Sequence, residues 1–226
     1  MPMDTLKSLD LAAHRFSLNL ASGELIERAI AAGEGKLAAN GALVCLTGDR
    51  TGRSPNDKFL EDVPAIHPKI WWGKVNQPLS TAGFDAALKI AVDHLNSRPR
   101  LYGFEGYAGA DPKYRLGTRV VTEQAWHALF ASTLFIKQGS AAAGGATDGS
   151  ETLIGKSDPS FKADWTILNA GRRRLTPDEA KAIGVKGPVL IAQSLSRKIV
   201  VILGTEYAGE MKKRIFYAMN YDIPEG

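Results

Sequence analysis

The chain has 226 residues, an ordinary globular composition and a net charge of +4, which suits anionic small molecules as well as nucleic acid. A single cysteine, Cys45, excludes an internal disulfide. Neither an N-terminal signal-peptide core nor a run of 18 apolar residues is present, so we expect a cytoplasmic protein without a membrane span.

The first predicted elements are a helix and a buried strand. After a weakly helical start, Ser22 can cap a helix over Glu24–Ala32, whose apolar residues fall on one face. The apolar run Gly41–Leu46 then predicts a buried strand. Within it, we interpret Cys45 as a small core residue rather than a nucleophile.

The next segment, Thr47–Lys58, reads TGDRTGRSPNDK and combines permissive glycines with Arg50 and Arg53. Glycines let backbone N–H groups approach a ligand, and arginine can grip a carboxylate or phosphate with two hydrogen bonds. We therefore predict a ligand-binding loop here, with a plain surface turn as the alternative.

An aromatic segment and a helix come after this loop. Ile70–Leu79 predicts a strand or strand end with a turn behind it, in which Trp71 and Trp72 have structural roles. Apolar residues at helical spacing predict a helix over Phe84–Leu95, with His94 partly exposed.

Two strands and a helix come next. The pattern predicts a strand over Arg100–Gly109 with a turn at Gly106, and a second strand over Tyr114–Thr122. The last residue of that strand can cap a helix over Glu123–Ser132. His127 falls on this helix, and we expect it to pack rather than to bind a metal.

The low-complexity segment Gln138–Ser160 predicts a flexible surface loop. It ends in Gly155-Lys156-Ser157, which resembles the end of a phosphate-binding P-loop. That motif requires a glycine at position 150, where this chain has Ser150. We therefore reject a nucleotide site in this segment.

The final third begins with a short strand over Trp165–Asn169. Thr176–Glu179 then starts a helix with cap, proline and acids in favoured places. Gly187–Ser194 and Ile199–Leu203 predict two strands that are neighbours across a short turn at Ser196–Arg197.

The stretch 198–220 predicts a strand, a glycine-bearing loop and a helix from about Gly209. Lys212, Lys213 and Arg214 fall in the first turn of that helix, where the helix dipole disfavours bases. Because the free N–H groups of a helix N-terminus attract anions, the added cations indicate an anion-binding site. A solvated basic face is the alternative.

Strands and helices alternate along the whole chain. This pattern predicts an α/β fold, with a mixed β-sheet and flanking helices. No internal repeat or linker is visible, so we predict a single domain over residues 1–226.

Five segments together resemble the N-terminal, substrate-binding domain of ATP-dependent phosphoenolpyruvate carboxykinase. They are Gly41–Phe59, Ile70–Leu79, Tyr107–Leu134, Asp164–Ala170 and Gly204–Tyr221. TGRSPNDKF and YAGEMKK are the specific motifs among them. The resemblance implies a lyase of gluconeogenesis, a decarboxylase that converts oxaloacetate and ATP into phosphoenolpyruvate, CO₂ and ADP with Mg²⁺ and Mn²⁺.

The resemblance also implies the site residues. Arg53 in TGRSP would hold the substrate carboxylate during decarboxylation. Tyr207 in YAGEMKK would contact substrate or CO₂. Lys213 would bind substrate and be a Mn²⁺ ligand, and Lys212 would serve the substrate or its phosphate.

The chain departs from the family after its last motif. The P-loop, the metal-binding His and Asp and later Arg and Lys contacts of the family would lie beyond Gly226. Ala208 stands where glycine is common, and the three arginines 172–174 are not family features. We therefore expect a truncated, substrate-binding half, which binds neither ATP nor metal stably by itself and which a missing nucleotide-binding domain or a companion chain would complete.

Two other classes of function compete with this interpretation. One is a stand-alone, non-catalytic homologue that binds dicarboxylates or a protein partner. The other is nucleic-acid binding through Arg172–Arg174, which we disfavour because a lone three-arginine run is typical of a solvated turn.

Overall fold

The computed structural model describes residues 9, 11, 16–139 and 157–225. The strands of this part of the chain are β1 (Phe16–Leu18), β2 (Gly35–Leu37), β3 (Leu43–Cys45), β4 (Lys58–Glu61), β5 (Gln77–Leu79), β6 (Leu101–Ala108), β7 (Leu116–Thr122), β8 (Ile136–Lys137), β9 (Trp165–Ala170), β10 (Leu190–Ser194) and β11 (Ile199–Leu203). The helices are α1 (Ser22–Ala31), α2 (Thr81–Ser97), α3 (Ala125–Leu134), α4 (Pro177–Ile183) and α5 (Gly209–Glu225). Over these same residues, no helix combines the length and the apolar character that crossing a membrane requires.

Nine of the described strands form one mixed sheet in the order β1-β6-β7-β9-β11-β10-β4-β5, and β8 pairs with β6 in addition. Pairs β1–β6, β7–β9, β9–β11, β10–β4 and β4–β5 are parallel, whereas β6–β7, β6–β8 and β10–β11 are antiparallel. Strands β2 and β3 form a separate antiparallel hairpin. The mixed sheet with its flanking helices confirms the predicted α/β fold class.

A hydrophobic cluster lies on each face of the large sheet. One contains residues of α1, α3 and α5, such as Leu25, Ala128 and Ile215. The other contains residues of α2 and α4, such as Phe84 and Ile183. Successive residues of β11 alternate between the two clusters, because neighbouring side chains of a strand point to opposite faces. The sheet is therefore the middle layer of three.

The local patterns near the end of the chain are confirmed. Strands β10 and β11 pair antiparallel, with Ser194 opposite Ile199. At the start of α4, Thr176 Oγ1 accepts a hydrogen bond from the Glu179 N–H at 3.2 Å, and Glu179 Oε2 accepts one from the Thr176 N–H at 2.8 Å. Helix α5 begins at Gly209, as its apolar spacing predicts.

The prediction of a buried strand over Gly41–Leu46 is wrong. Only Leu43–Cys45 is extended, and it pairs with β2 outside the large sheet. Val44 and Leu46 are 55% and 64% exposed, and Cys45 is only partly buried. An apolar run predicts an extended segment, but its burial depends on what packs against it.

Two predicted helix caps are also wrong. Ser22 lies inside α1 and its hydroxyl makes no cap hydrogen bond. Thr122 belongs to β7, and α3 begins at Ala125. The N–H groups of Ala125 and Trp126 instead donate to the buried Glu34 carboxylate, at 3.2 and 2.9 Å. Because Glu34 is 91 positions before Ala125 in the sequence, no local pattern could indicate this cap.

The prediction of a turn at Gly106 is wrong, because the strand continues through this residue. Gly106 lies within β6 and pairs with Thr118 on one side and Lys137 on the other. A Cβ atom on this residue would lie 2.5 Å from the Ile136 carbonyl oxygen. The glycine therefore permits a close approach of β8, not a change of chain direction.

The aromatic segment Ile70–Leu79 contains less strand than predicted. Only Gln77–Leu79 is extended, as the edge strand β5. Trp71 is 89% exposed, which contradicts the structural role predicted for it. Trp72 stacks on His67 with ring centroids 5.4 Å apart.

The predicted flexible loop 138–160 falls mainly on residues 140–156, which lie outside the described residues, as do Gly155 and Lys156 of the rejected P-loop pattern. The described flanks are joined by polar contacts. The Asp158 N–H donates to Gln138 Oε1 at 2.8 Å, and the Ser157 hydroxyl donates to Glu105.

Candidate functional site

A cavity of about 640 Å³ lies where the chain passes from β11 into α5. The hairpin end after β3, the loop before β4 and helix α3 complete its walls. Its lining consists of Cys45, Thr47, Arg53, Trp126, Phe130, Tyr207, Ala208, Gly209, Lys212, Lys213 and Phe216. We call it the α5 cavity.

All four site residues that the resemblance implies line the α5 cavity, whereas Arg50 of the predicted ligand-binding loop does not. Arg53 comes from the loop before β4, Tyr207 from the turn after β11, and Lys212 and Lys213 from the beginning of α5. The fold thus brings together two segments that are distant in the sequence. The chemical role of each residue stays a prediction.

The three cations of the cavity have no carboxylate partner in the described part of the chain. Within the described residues, neither Arg53 nor Lys212 nor Lys213 forms a salt bridge, and Lys213 Nζ lies 5.4 Å from the centroid of the Phe216 ring. Like charges repel when they are gathered in one place. An anion that enters the cavity would relieve this repulsion.

The remaining walls of the cavity are largely apolar. They include the side chains of Trp126, Phe130 and Phe216. Apolar walls lower the local dielectric constant, so a charge on a bound ligand interacts more strongly with the cations there than it would in water. This combination suits a small, highly charged anion.

Arg214 does not join the two lysines, which corrects the predicted cluster of three cations. Its side chain is 7% exposed, and its Nη1 lies 3.5 Å from the Gln193 amide oxygen. Burial lowers the pKa of Arg214, and the nearby Glu210 opposes that shift. Helical residues are about 100° apart around the axis, so Arg214 points away from Lys212. Because α5 starts at Gly209, Lys213 and Arg214 also lie beyond its first turn.

A network that includes a buried histidine supports the turn that carries Tyr207. His127 Nε2 lies 2.8 Å from the Glu206 carbonyl oxygen, and its Nδ1 lies 3.1 Å from the Asn169 amide nitrogen. Burial lowers the pKa of His127 to about 4. The neutral ring therefore donates from Nε2 and accepts at Nδ1, which agrees with the packing role predicted for it.

The described residues do not form a divalent-metal site around Lys213. Cys45 is the one cysteine, histidine or acidic residue in the cavity lining, and no group of three or more such residues suited to a metal occurs in the described part of the chain. Mn²⁺ and Mg²⁺ prefer six mainly oxygen ligands. The donor set of this cavity does not fit either ion, and Lys213 offers a single nitrogen.

The three-arginine run lies beside the cavity and is ion-paired. Arg172 Nε is 3.2 Å from Glu206, Arg174 Nη1 is 2.8 Å from Asp49, and Arg173 pairs with Glu179. Each guanidinium therefore has a carboxylate partner, and the absence of nucleic-acid binding stays a prediction.

Sequence reasoning missed the aromatic walls of the cavity and the acid behind it. Trp126 and Phe130 lie at positions that any core-facing helix would give to large apolar residues, so nothing local marks them as cavity residues. Glu210 could have been singled out from the sequence, because it is the single acidic residue among the cations at the start of α5.

The sequence is similar to known enzymes over nearly its whole length. The family profile for phosphoenolpyruvate carboxykinase matches residues 14–226. The "Phosphoenolpyruvate carboxykinase (ATP)" of Geobacillus kaustophilus is 43% identical over 223 residues, which cover 99% of this chain and 38% of that protein. The protein of the same name from Brevibacillus brevis is 42% identical over 227 residues, covering 100% of this chain and 40% of the relative.

A third relative shows the same relation. The "Phosphoenolpyruvate carboxykinase (ATP)" of Thermus thermophilus is 42% identical over 209 residues, covering 92% of this chain and 36% of that protein. The chain therefore spans 36–40% of the length of these curated relatives.

Proposed function

Because the chain belongs to the ATP-dependent phosphoenolpyruvate carboxykinase family, we propose that it binds oxaloacetate and phosphoenolpyruvate in the α5 cavity. It would serve as the substrate-binding part of a cytoplasmic lyase of gluconeogenesis, which forms phosphoenolpyruvate, CO₂ and ADP from oxaloacetate and ATP. The observation that carries the proposal is the convergence of Arg53, Lys212 and Lys213, none of them in a salt bridge within the described residues, on one cavity.

The charges of the ligands match those of the cavity. Oxaloacetate carries two carboxylates, and phosphoenolpyruvate carries a carboxylate and a phosphate. Arg53 can hold one carboxylate through two parallel hydrogen bonds, and the ammonium groups of Lys212 and Lys213 can meet the other anionic group as point charges. The Tyr207 hydroxyl can donate to a substrate oxygen or to an oxygen of released CO₂.

The expected affinity is weak. A hydrogen bond to a charged group contributes about 1.5–3 kcal/mol. Two or three such contacts, less the rotational and translational freedom lost on binding, give a dissociation constant on the order of 1 mM. Such a value suits a site that other parts of an enzyme complete.

The proposal assigns ATP and metal binding to family sequence outside the span that this chain covers, or to a companion chain. The α5 cavity offers cations for the substrate but no set of oxygen ligands for Mg²⁺ or Mn²⁺. When bound from such a second part, the metal would supply charge stabilisation at the phosphates.

Titration calorimetry with oxalate, a stable dicarboxylate, tests the proposal. The Arg53→Ala variant should lose at least about tenfold in affinity, because one charge-assisted pair is removed. Arg50→Ala is the matched control, since Arg50 lies on the same loop, pairs with Asp57 and does not line the cavity. Equal affinities of the Arg53→Ala variant and the unchanged chain would refute the site.

A further inference from the structure

A buried charged cluster lies behind the α5 cavity, between the Arg53 loop and α5. Its centre is Glu210, which is completely buried. Glu210 Oε1 accepts a hydrogen bond from the Ser54 backbone N–H at 2.8 Å, and Oε2 lies 3.4 Å from Lys58 Nζ. Ser54 directly follows Arg53, and Glu210 comes shortly before Lys212. One carboxylate therefore joins the two segments that supply the cations of the cavity.

The composition of this cluster argues against a role in stability alone. Glu210 Oε2, Ser54 Oγ and Arg214 Nε are buried without a hydrogen-bond partner within the described residues. A buried ion pair with incomplete hydrogen bonding contributes little net stability, and well-packed apolar residues in place of both partners often fold equally well, although removal of one partner alone is destabilising. What apolar residues cannot replace is the directional bond from Ser54 to the carboxylate.

Electrostatics give Glu210 a second effect on the same loop. Burial lowers the pKa of Lys58, and the positive charges of Arg214 and Arg53 lower it further, whereas Glu210 raises it. Three cationic side chains therefore act on one another around a single buried anion. Without that anion, the three cations would repel one another unopposed, whereas the repulsion between Glu210 and the Asp57 carboxylate of the same loop would be lost.

We propose that Glu210 is a positioning residue, which holds the Arg53 loop against α5 through its buried carboxylate. The residue does not line the cavity, so it would not contact a ligand there, and we place its effect on Arg53. Its effect on ligand affinity rests on the proposed function, but its effect on the loop does not.

Amide hydrogen exchange without any ligand is the first test. In the Glu210→Ala variant, the Ser54 amide should exchange at least about tenfold faster than in the unchanged chain, because its acceptor is gone. The Glu210→Gln variant keeps an acceptor oxygen, so its Ser54 amide should exchange at a rate between those of the Glu210→Ala variant and the unchanged chain. Glu61→Ala is the matched control: Glu61 is also buried, and it contacts Ser194 and Arg197 at the other end of β4.

A double-mutant cycle with oxalate is the second test. Glu210→Ala should weaken oxalate binding about tenfold when Arg53 is present and by less than about twofold in the Arg53→Ala background. Glu61→Ala should lower the urea midpoint but leave the oxalate affinity unchanged. Equal losses in both Arg53 backgrounds, or an unchanged Ser54 exchange rate, would overturn the proposal.

The two proposals fail in different ways. If the unchanged chain binds no oxalate, the proposed function fails, and the Ser54 exchange rate still decides whether Glu210 holds the loop. If oxalate binding depends on Arg53 and not on Glu210, the proposed function stands and the positioning role is refuted. If Glu210→Ala fails to fold, the Glu210→Gln variant takes its place in both the exchange experiment and the double-mutant cycle.

Discussion

The aromatic ring of Tyr207 lies directly against the backbone of Gly209. A Cβ atom on residue 209 would stand 2.5 Å from Tyr207 Cε1 and 2.9 Å from its hydroxyl oxygen. Gly209 is the first residue of α5, and Tyr207 lines the α5 cavity. The missing side chain at position 209 therefore leaves the space that the Tyr207 ring occupies.

We predict that Gly209→Ala displaces the Tyr207 ring and weakens oxalate binding while the chain still folds. Alanine is a good helix residue, so the start of α5 tolerates it, but the ring must move away from the new methyl group. Loss of one hydrogen bond corresponds to a decrease in affinity of about threefold to tenfold. Titration calorimetry and the Tyr207 ring signals in an NMR spectrum measure the two effects.

Gly23→Ala is the control for this substitution. Gly23 lies in the first turn of α1, and a Cβ atom there would meet no atom within 4 Å. It should leave oxalate binding unchanged and stabilise the chain by about 0.5–1 kcal/mol. An unshifted Tyr207 signal in the Gly209→Ala variant would contradict the prediction.

We predict that the two lysines give the binding a strong dependence on salt. Lys212→Ala and Lys213→Ala should each lower the oxalate affinity, and the difference from the unchanged chain should shrink at high ionic strength. The Debye length falls from about 10 Å at 0.1 M salt to about 3 Å at 1 M. Lys89→Ala is the control, because Lys89 is exposed on α2 and pairs with Asp93. Equal effects of the Lys89→Ala and Lys213→Ala substitutions would contradict the assignment of the α5 cavity as the oxalate-binding site.

We predict that His127 makes the protein less stable in mild acid. Burial lowers its pKa to about 4. The unfolded chain therefore takes up this proton first, so stability is complete above about pH 6.5 and is lost as the pH falls toward 4. Between pH 7 and pH 5, His127 should lower the free energy of unfolding by about 2 kcal/mol.

Urea unfolding at the two pH values measures this effect. The His127→Gln variant should show a smaller change between pH 7 and pH 5 than the unchanged chain. His67→Gln is the control, because the His67 side chain is 58% exposed. Parallel pH profiles of the His127→Gln variant and the unchanged chain would show that His127 is not the source.

We predict that a polypeptide of residues 1–226 forms no phosphoenolpyruvate from oxaloacetate and ATP above background. Phosphoryl transfer depends on positioning the phosphates and on neutralising their charge. The α5 cavity contains cationic side chains, but its lining does not fit the divalent metal that the phosphates need. A coupled assay with oxaloacetate, ATP, Mg²⁺ and Mn²⁺ measures this. Turnover that Lys213→Ala abolishes would show that the chain handles the nucleotide itself.

The sequence alone determined those features that depend on near neighbours in the chain. Apolar runs and helical spacing predicted β9, β10, β11, α2 and α5, because these periodicities are written in consecutive residues. The capping box of α4 was visible for the same reason. The two motifs TGRSP and YAGEMKK also named four of the residues that line the α5 cavity, but not its aromatic walls.

Only the tertiary structure decided which of these features are buried and which face one another. The apolar run 41–46 is exposed because it pairs with β2 rather than with the large sheet. Arg214 turns away from Lys212 toward Gln193. Glu210 meets the Ser54 N–H across 156 positions of sequence. Burial and hydrogen bonds between distant residues are properties of pairs that folding brings together, so no local pattern contains them.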